Sequence, residues 1–241
     1  MIMNRIVTRR IMVLQPGYLP WLGFFDMLYK SEALVYHTDL QYDKCSWRNR
    51  NRIRTKDGWA WLSVPVYIKG HSKDKILDIK IDNTKKWRKR HMNLVTENYK
   101  NAPFFERYIG NFEDIIKKDW DFLVDLDFAL INWLMDELHL KKKLIYSHDL
   151  SLNGQRSTYR LIKICKQLGA DTYLSGSRGR NYIDDSMFMD EGLKLEYHDY
   201  VHPEYKQQFD GFVPYMSVID LLFNHGDASL KILTGNYGEK S

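Results

Sequence analysis

The sequence predicts an α/β fold, a mostly parallel sheet flanked by helices. Three observations carry this expectation. Short apolar runs alternate with helical stretches at both ends of the chain, turns rich in Gly and Pro separate them, and the middle third has helical periodicity. A hairpin and a helical insertion interrupt the alternation.

Ile11 to Leu14 is a short buried-strand pattern closed by Gln15-Pro16-Gly17. Leu19-Pro20-Trp21 then opens an apolar helix reaching about Lys30, with Pro20 in its first turn. Ala33 to His37 reads as a second strand, so strand, tight turn, helix and strand begin a Rossmann-like unit. Asn51 to Thr55 and Trp59 to Val66, joined by Lys56-Asp57-Gly58, form a hairpin. Ile76 to Ile81 reads as a further strand. From Thr84, taken as a cap, Trp87, His91, Leu94, Val95, Asn98 and Tyr99 share one helix face until Pro103. Trp120 to Leu138 is the longest helical stretch. Leu144 to Tyr146, Thr172 to Leu174 and Leu193 to Tyr197 complete the strands. Ser157 to Leu168 is a helix ending at Gly169, and Val218 to Asn224 and Ala228 to Leu233 are helical. Residues 1–241 form one α/β domain in this reading, with 84–140 a helical subdomain inside it.

The 241 residues carry 44% hydrophobic and 28% charged side chains, which excludes wholesale disorder. Aromatics reach 14%, enough to fill a core and also line a site for a planar or sugar ligand. Two cysteines, Cys45 and Cys165, build neither a disulfide framework nor a zinc site, so a reducing compartment is expected. Phe128 to Met135 is far shorter than the roughly 20 residues of a membrane span. After Arg9-Arg10, Ile11 to Leu14 is too short for a signal-peptide core of about 7–15 residues. A soluble, cytoplasmic protein is expected.

The positive charge is local. Six cations and no carboxylate lie between Lys44 and Lys56, and without them the net charge of +5 becomes −1. Arginine dominates this block, with Trp47 and Asn51 interleaved. A planar guanidinium binds phosphate or carboxylate through two parallel hydrogen bonds, although a solvated hairpin face has the same composition. The cluster from Lys85 to His91 reads as a helix exterior.

Three further segments have residue types suited to chemistry. Gln15 to Trp21 follows the first strand, where open α/β sheets bind ligands; Gln15 offers an amide, and Tyr18 and Trp21 an aromatic wall. The same residues also serve simply as turn and core. Ser175-Gly176-Ser177-Arg178-Gly179-Arg180 follows a later strand, its small residues and arginines suited to an anionic oxygen or to a solvated loop; it matches neither a Walker A loop nor GxGxxG. Asp39 and Gln41 follow the second strand, where a carboxylate can act as base or pair with Arg50 or Arg52. His202, in a polar loop after the last strand, is a candidate base. His91 shares a face with Trp87 and Tyr99, as a packed histidine would. No HExxH, GxSxG or Cys-His pattern occurs, so neither metal-dependent hydrolysis nor a serine hydrolase is indicated, and no metal ligands are assigned.

Together these segments resemble the WbqC-like family of bacterial proteins. The resemblance rests on Gln15 to Asp26, Asp39 to Tyr42, Ser46 to Ile53, Trp87 with His91, Tyr99 to Phe105, Thr172 to Gly176 with Tyr182, and His202-Pro203-Glu204-Tyr205. Two departures stand out: Leu14 replaces a histidine common before Gln-Pro, and Thr38-Asp39 replaces paired aspartates. The resemblance implies a role in surface-polysaccharide (O-antigen-type, lipopolysaccharide) biosynthesis, as a transferase placing a glycine-like aminoacyl or acyl group on a nucleotide-linked amino sugar. Its partners would be that sugar and an activated acyl donor; no cofactor is assigned. Asp39 or His202 would take the proton, and Arg50, Arg52 and Arg178 would hold phosphates. Gln15, Tyr18, Trp21, Gln41, Trp47, Asn51, His91, Ser175, Gly176 and Tyr182 would complete the binding residues. ATP-dependent acyl activation is the alternative enzyme reading. A nucleic-acid-binding hairpin is the non-enzyme reading, weakened by the near-neutral remainder of the chain.

Overall fold

Five strands with buried apolar positions need a sheet covered on its faces, and the computed structural model supplies one. It describes residues 9–43, 46–68, 74–152, 154 and 157–235; Lys44 and Cys45 of the sequence reading lie outside them. The strands are β1 (Arg10–Leu14), β2 (Ala33–Tyr36), β5 (Lys143–Tyr146), β6 (Thr172–Gly176) and β7 (Lys194–His198), all parallel, in the order β5-β2-β1-β6-β7. β3 (Arg50–Thr55) and β4 (Gly58–Ser63) form a separate antiparallel hairpin. The chain groups into two compact units.

The sheet unit gathers Met27–His37, Lys142–Tyr200 and the described residues up to Leu14. Numbered along the five strands alone, its order is 3-2-1-4-5, so the direction of strand addition reverses between β1 and β6. Arg10 pairs with Thr172 and Met12 with Leu174, and continuing that register brings Leu14 level with Gly176. Helices α5 (Ser157–Leu168) and α6 (Asp185–Asp190) supply Ile162, Cys165 and Phe188 to a core with Ile11, Val13, Val35 and Tyr173. Tyr173 and Phe188 stack at 5.6 Å. α5 ends where Gly169 adopts φ +62°, as its sequence predicts.

The helical unit contains Gln15–Asp26, Thr38–Lys141 and the described residues from Val201. α1 (Leu22–Tyr29) crosses the division, and α2 (Trp87–Tyr99), α3 (Phe105–Lys117), α4 (Leu123–Glu137), α7 (Val218–His225) and α8 (Ser229–Leu233) follow. Phe223 of α7 lies within 5.1 Å of Tyr99, 5.6 Å of Phe105 and 6.4 Å of Tyr108, joining three helices through one ring.

Several elements depart from expectation. Pro20 precedes α1, and its carbonyl accepts the Val218 N–H at 3.0 Å. Ile76 to Ile81 is a short 3₁₀ turn at Ile76–Asp78 followed by isolated bridges, Lys80 to Phe122 and Val66 to Ile81. Thr84 does not cap α2, because its hydroxyl is bonded to Asp82 and the helix begins after Lys86. On α2 the buried face is Trp87, His91, Val95 and Tyr99, while Leu94 and Asn98 are half-buried. α6 has no counterpart in the sequence reading. Among the described residues no helix is long and apolar enough to cross a membrane.

Candidate functional site

In the helical unit, the Gln15–Trp21 turn is fastened to the hairpin segment. The Tyr18 N–H donates to the carbonyls of Trp47 and Arg48, both at 3.1 Å. Arg48 Nη1 donates back to the carbonyls of Gln15 (2.9 Å) and Pro16 (3.1 Å). Asn51, buried on the inner face of β3, donates from Nδ2 to the carbonyls of Tyr18 (3.3 Å) and Leu19 (2.6 Å). Leu19 sits at φ +45°, a conformation branched residues adopt only when surroundings impose it. Gly23 lets the Trp21 indole fold over α1, since a Cβ there would come within 2.4 Å of the ring.

Tyr18 and His91 are both fully buried. The Tyr18 hydroxyl donates to His91 Nδ1 at 2.8 Å, and His91 Nε2–H donates to the Ser63 carbonyl at 3.1 Å. Burial depresses the imidazole to a pKa of about 4, so it is neutral at pH 7. Tyr18, Asn51 and His91 therefore support the turn from beneath and line no open surface.

Side chains alternate along a strand, so Arg50, Arg52 and Arg54 share one face of the hairpin. Register sets Arg52 opposite Trp61 and Arg54 opposite Trp59. The guanidinium of Arg50 lies 4.5 Å from the Trp61 ring, and that of Arg52 lies 5.1, 5.3 and 5.9 Å from Trp59, Trp47 and Trp61. Arg54 is spent internally, with Nη2 donating to the Asp210 carbonyl (2.6 Å) and Nη1 to that of Gly58 (2.9 Å). Trp59 and Trp61 went unassigned in the sequence, although the two-residue turn at Lys56-Asp57 implies this cross-strand register.

Trp21 stacks on His202 with ring centroids 6.3 Å apart, and Tyr215 lies 5.3 Å from the same imidazole. His202 Nδ1–H donates to the Pro203 carbonyl (2.8 Å) while Nε2 accepts the Tyr215 N–H (3.2 Å). Burial lowers its pKa. Both ring nitrogens are thus engaged with backbone. Asp39 is half-buried and Gln41 exposed, on a segment anchored by the Ile76 N–H to the Leu40 carbonyl (2.9 Å).

The remaining predicted residues belong to the sheet unit. Ser175 is buried and Gly176 ends β6; Gly179 packs so closely on Ser175 Oγ that a Cβ would lie 2.1 Å away. Arg180 forms a two-pronged pair with Asp199 at 2.6 and 2.7 Å and covers Tyr197. Arg178 and Tyr182 are exposed, and Arg178 makes no hydrogen bond or ion pair among the described residues. Also at this carboxyl edge, His37 follows β2 and accepts from Arg160 Nε at 2.6 Å, a pairing nothing in the sequence announces. Among the described residues no three His, Cys, Asp or Glu side chains gather as metal ligands.

A five-strand parallel sheet reversing at its first strand, with a separate arginine–tryptophan hairpin, defines a Rossmann-type α/β protein. The chain belongs to the WbqC-like protein family, whose model matches residues 15–232. An uncharacterized protein of Mycobacterium tuberculosis (strain ATCC 25618 / H37Rv), Rv1507c, is 34% identical over 220 residues, covering 90% of this chain and 94% of the relative. No solved structure matches the chain.

Proposed function

We propose that this protein is a transferase of surface-polysaccharide biosynthesis that places an acyl or glycine-like aminoacyl group on the amino nitrogen of a nucleotide-linked sugar. The observation that supports this most is the strand reversal between β1 and β6. Ligands of open α/β sheets bind outside the carboxyl ends of the strands at such a reversal. There Gly176 leads into exposed Ser177 and Arg178, an unengaged cation suited to a nucleotide phosphate.

The sugar amine attacks the carbonyl carbon of an activated acyl donor, the donor's leaving group departs with its electron pair, and a base takes the amine proton. Asp39 and His202 are the two candidate bases, and both nitrogens of His202 are held in backbone hydrogen bonds. His202 also backs the Trp21 ring. The purified protein, given nucleotide amino sugars and activated glycine, should yield a product heavier by one glycyl residue. Asp39→Asn should lower kcat by about 10²-fold or more. Pyrophosphate release that requires ATP and an amino acid would instead support acyl activation, and turnover unchanged in Asp39→Asn and Arg178→Ala would dismiss these assignments.

A further inference from the structure

The four arginines of the hairpin segment differ in what their guanidinium groups meet. Arg48 donates from Nη1 to the carbonyls of Gln15 and Pro16, and Arg54 donates from Nη1 to that of Gly58 and from Nη2 to that of Asp210. Arg52 is held by three indoles, yet its side chain makes no hydrogen bond or ion pair among the described residues. Indole faces orient a guanidinium without consuming its N–H groups, which lie in its plane. Stacking also strips water from the charge, leaving a cation short of hydration and of a counter-anion.

The surroundings define the complement. Trp47 and Trp59 are 42% and 44% exposed, so ring surface remains beside the fork. No carboxylate occurs from Ser46 to Thr55. The opposite face of β3, Asn51 and Ile53, is buried, so only the arginine–tryptophan face is open to a ligand.

We infer that Arg52 and its tryptophans form a binding site for a phosphorylated saccharide. The phosphate accepts two hydrogen bonds from the Arg52 fork, and the pyranose C–H face lies on the exposed indole of Trp59 or Trp47. This site needs no acyl transfer, so it stands or falls separately from the reaction proposed above.

Isothermal titration of the full chain with a hexose 1-phosphate, the parent hexose, a hexuronic acid and inorganic phosphate tests it. The hexose 1-phosphate should bind, and inorganic phosphate about tenfold or more weakly; the neutral hexose should give no heat. Arg52→Lys, which retains the charge and loses the fork, should weaken the sugar phosphate by about tenfold or more. Replacing both Trp47 and Trp59 by Ala removes the exposed rings and should weaken the sugar phosphate more than inorganic phosphate. Equal binding by the neutral hexose, tighter binding of the hexuronic acid, or wild-type affinity in a folded Arg52→Gln protein would each overturn the assignment. So would absence of binding to wild type.

Discussion

His91 allows a sharp test of how the Gln15–Trp21 turn is supported. Its imidazole is buried beneath that turn, accepts from the Tyr18 hydroxyl, donates to the Ser63 carbonyl, and packs against Trp87 at 5.2 Å. Burial, reinforced by the Arg90 charge, lowers its pKa from 6.5 to about 4, the Ser63 bond opposing. The unfolded chain therefore takes up a proton near pH 6.5 that the folded chain refuses until about pH 4. In that window the unfolded state holds more protons, so stability is fully present above pH 6.5 and falls with acid. At about 1.4 kcal/mol per pH unit, the loss down to pH 4 is about 3 kcal/mol. His91→Gln keeps a donor and an acceptor but cannot titrate. Urea unfolding of both proteins from pH 7.5 to pH 4 isolates the effect, because carboxylates common to both cancel in the difference. The wild type should lose about 3 kcal/mol relative to the variant, or about 6–12 °C in Tm. Stability profiles that run parallel over this range would refute a buried, neutral His91.

Arg54 and Arg52 should behave oppositely, though neighbours on one strand face. Arg54→Met leaves the carbonyls of Gly58 and Asp210 without their donor and should lower stability by about 2 kcal/mol, whereas Arg52→Gln should cost about 1 kcal/mol or less in denaturant titrations. Cys165 is buried in the sheet unit, where desolvation pushes its thiol up to about 12. In a Cys45→Ser background, native protein should react with a thiol reagent at pH 8 at least about 100-fold more slowly than unfolded protein.

The elements legible in the sequence are those whose pattern is local. β1, β2 and α5 each have the apolar spacing of their period, and Gly169 supplies the left-handed residue ending α5. The hairpin was legible through its turn. Strand order was not, because β1 pairs with β6 across some 160 residues and no local feature encodes that partnership. α6, Asp185–Asp190, is too short to display a helical period. Ile76 to Ile81 has strand composition, but its backbone groups find single bridging partners in place of a ladder. In the candidate site, the charge block was visible but its division of labour was not. Arg48, Arg50, Arg52 and Arg54 are chemically identical in sequence, and only the carbonyls folding around Arg48 and Arg54 distinguish them from Arg52.

The same dependence on partners governs two buried aspartates that sequence treats alike. Asp220 of α7 accepts from Tyr99 (2.7 Å), Tyr205 (2.8 Å) and Gln207 (2.9 Å), and Tyr99 in turn accepts the Arg54 N–H at 2.9 Å. That network joins the hairpin, α2, α7 and the loop after Val201. Asp127 of α4 is equally buried, yet neither carboxyl oxygen has a hydrogen-bond partner among the described residues. Burial drives its pKa well upward, with Arg48 opposing. Asp220→Asn turns an amide toward at least one O–H or N–H donor and should destabilise by about 1–3 kcal/mol. Asp127→Asn replaces a group for which ionisation is costly with a neutral isostere. Because its folded pKa is raised, the wild-type carboxyl contributes fully only below its unfolded value of 3.8, and that contribution is lost as pH rises. Asp127→Asn should therefore be at least as stable as wild type at pH 7.5, with its relative advantage shrinking toward pH 4. Equal destabilisation by both substitutions at neutral pH would mean that Asp127 is ionised, and that Arg48 compensates its charge across the space between them.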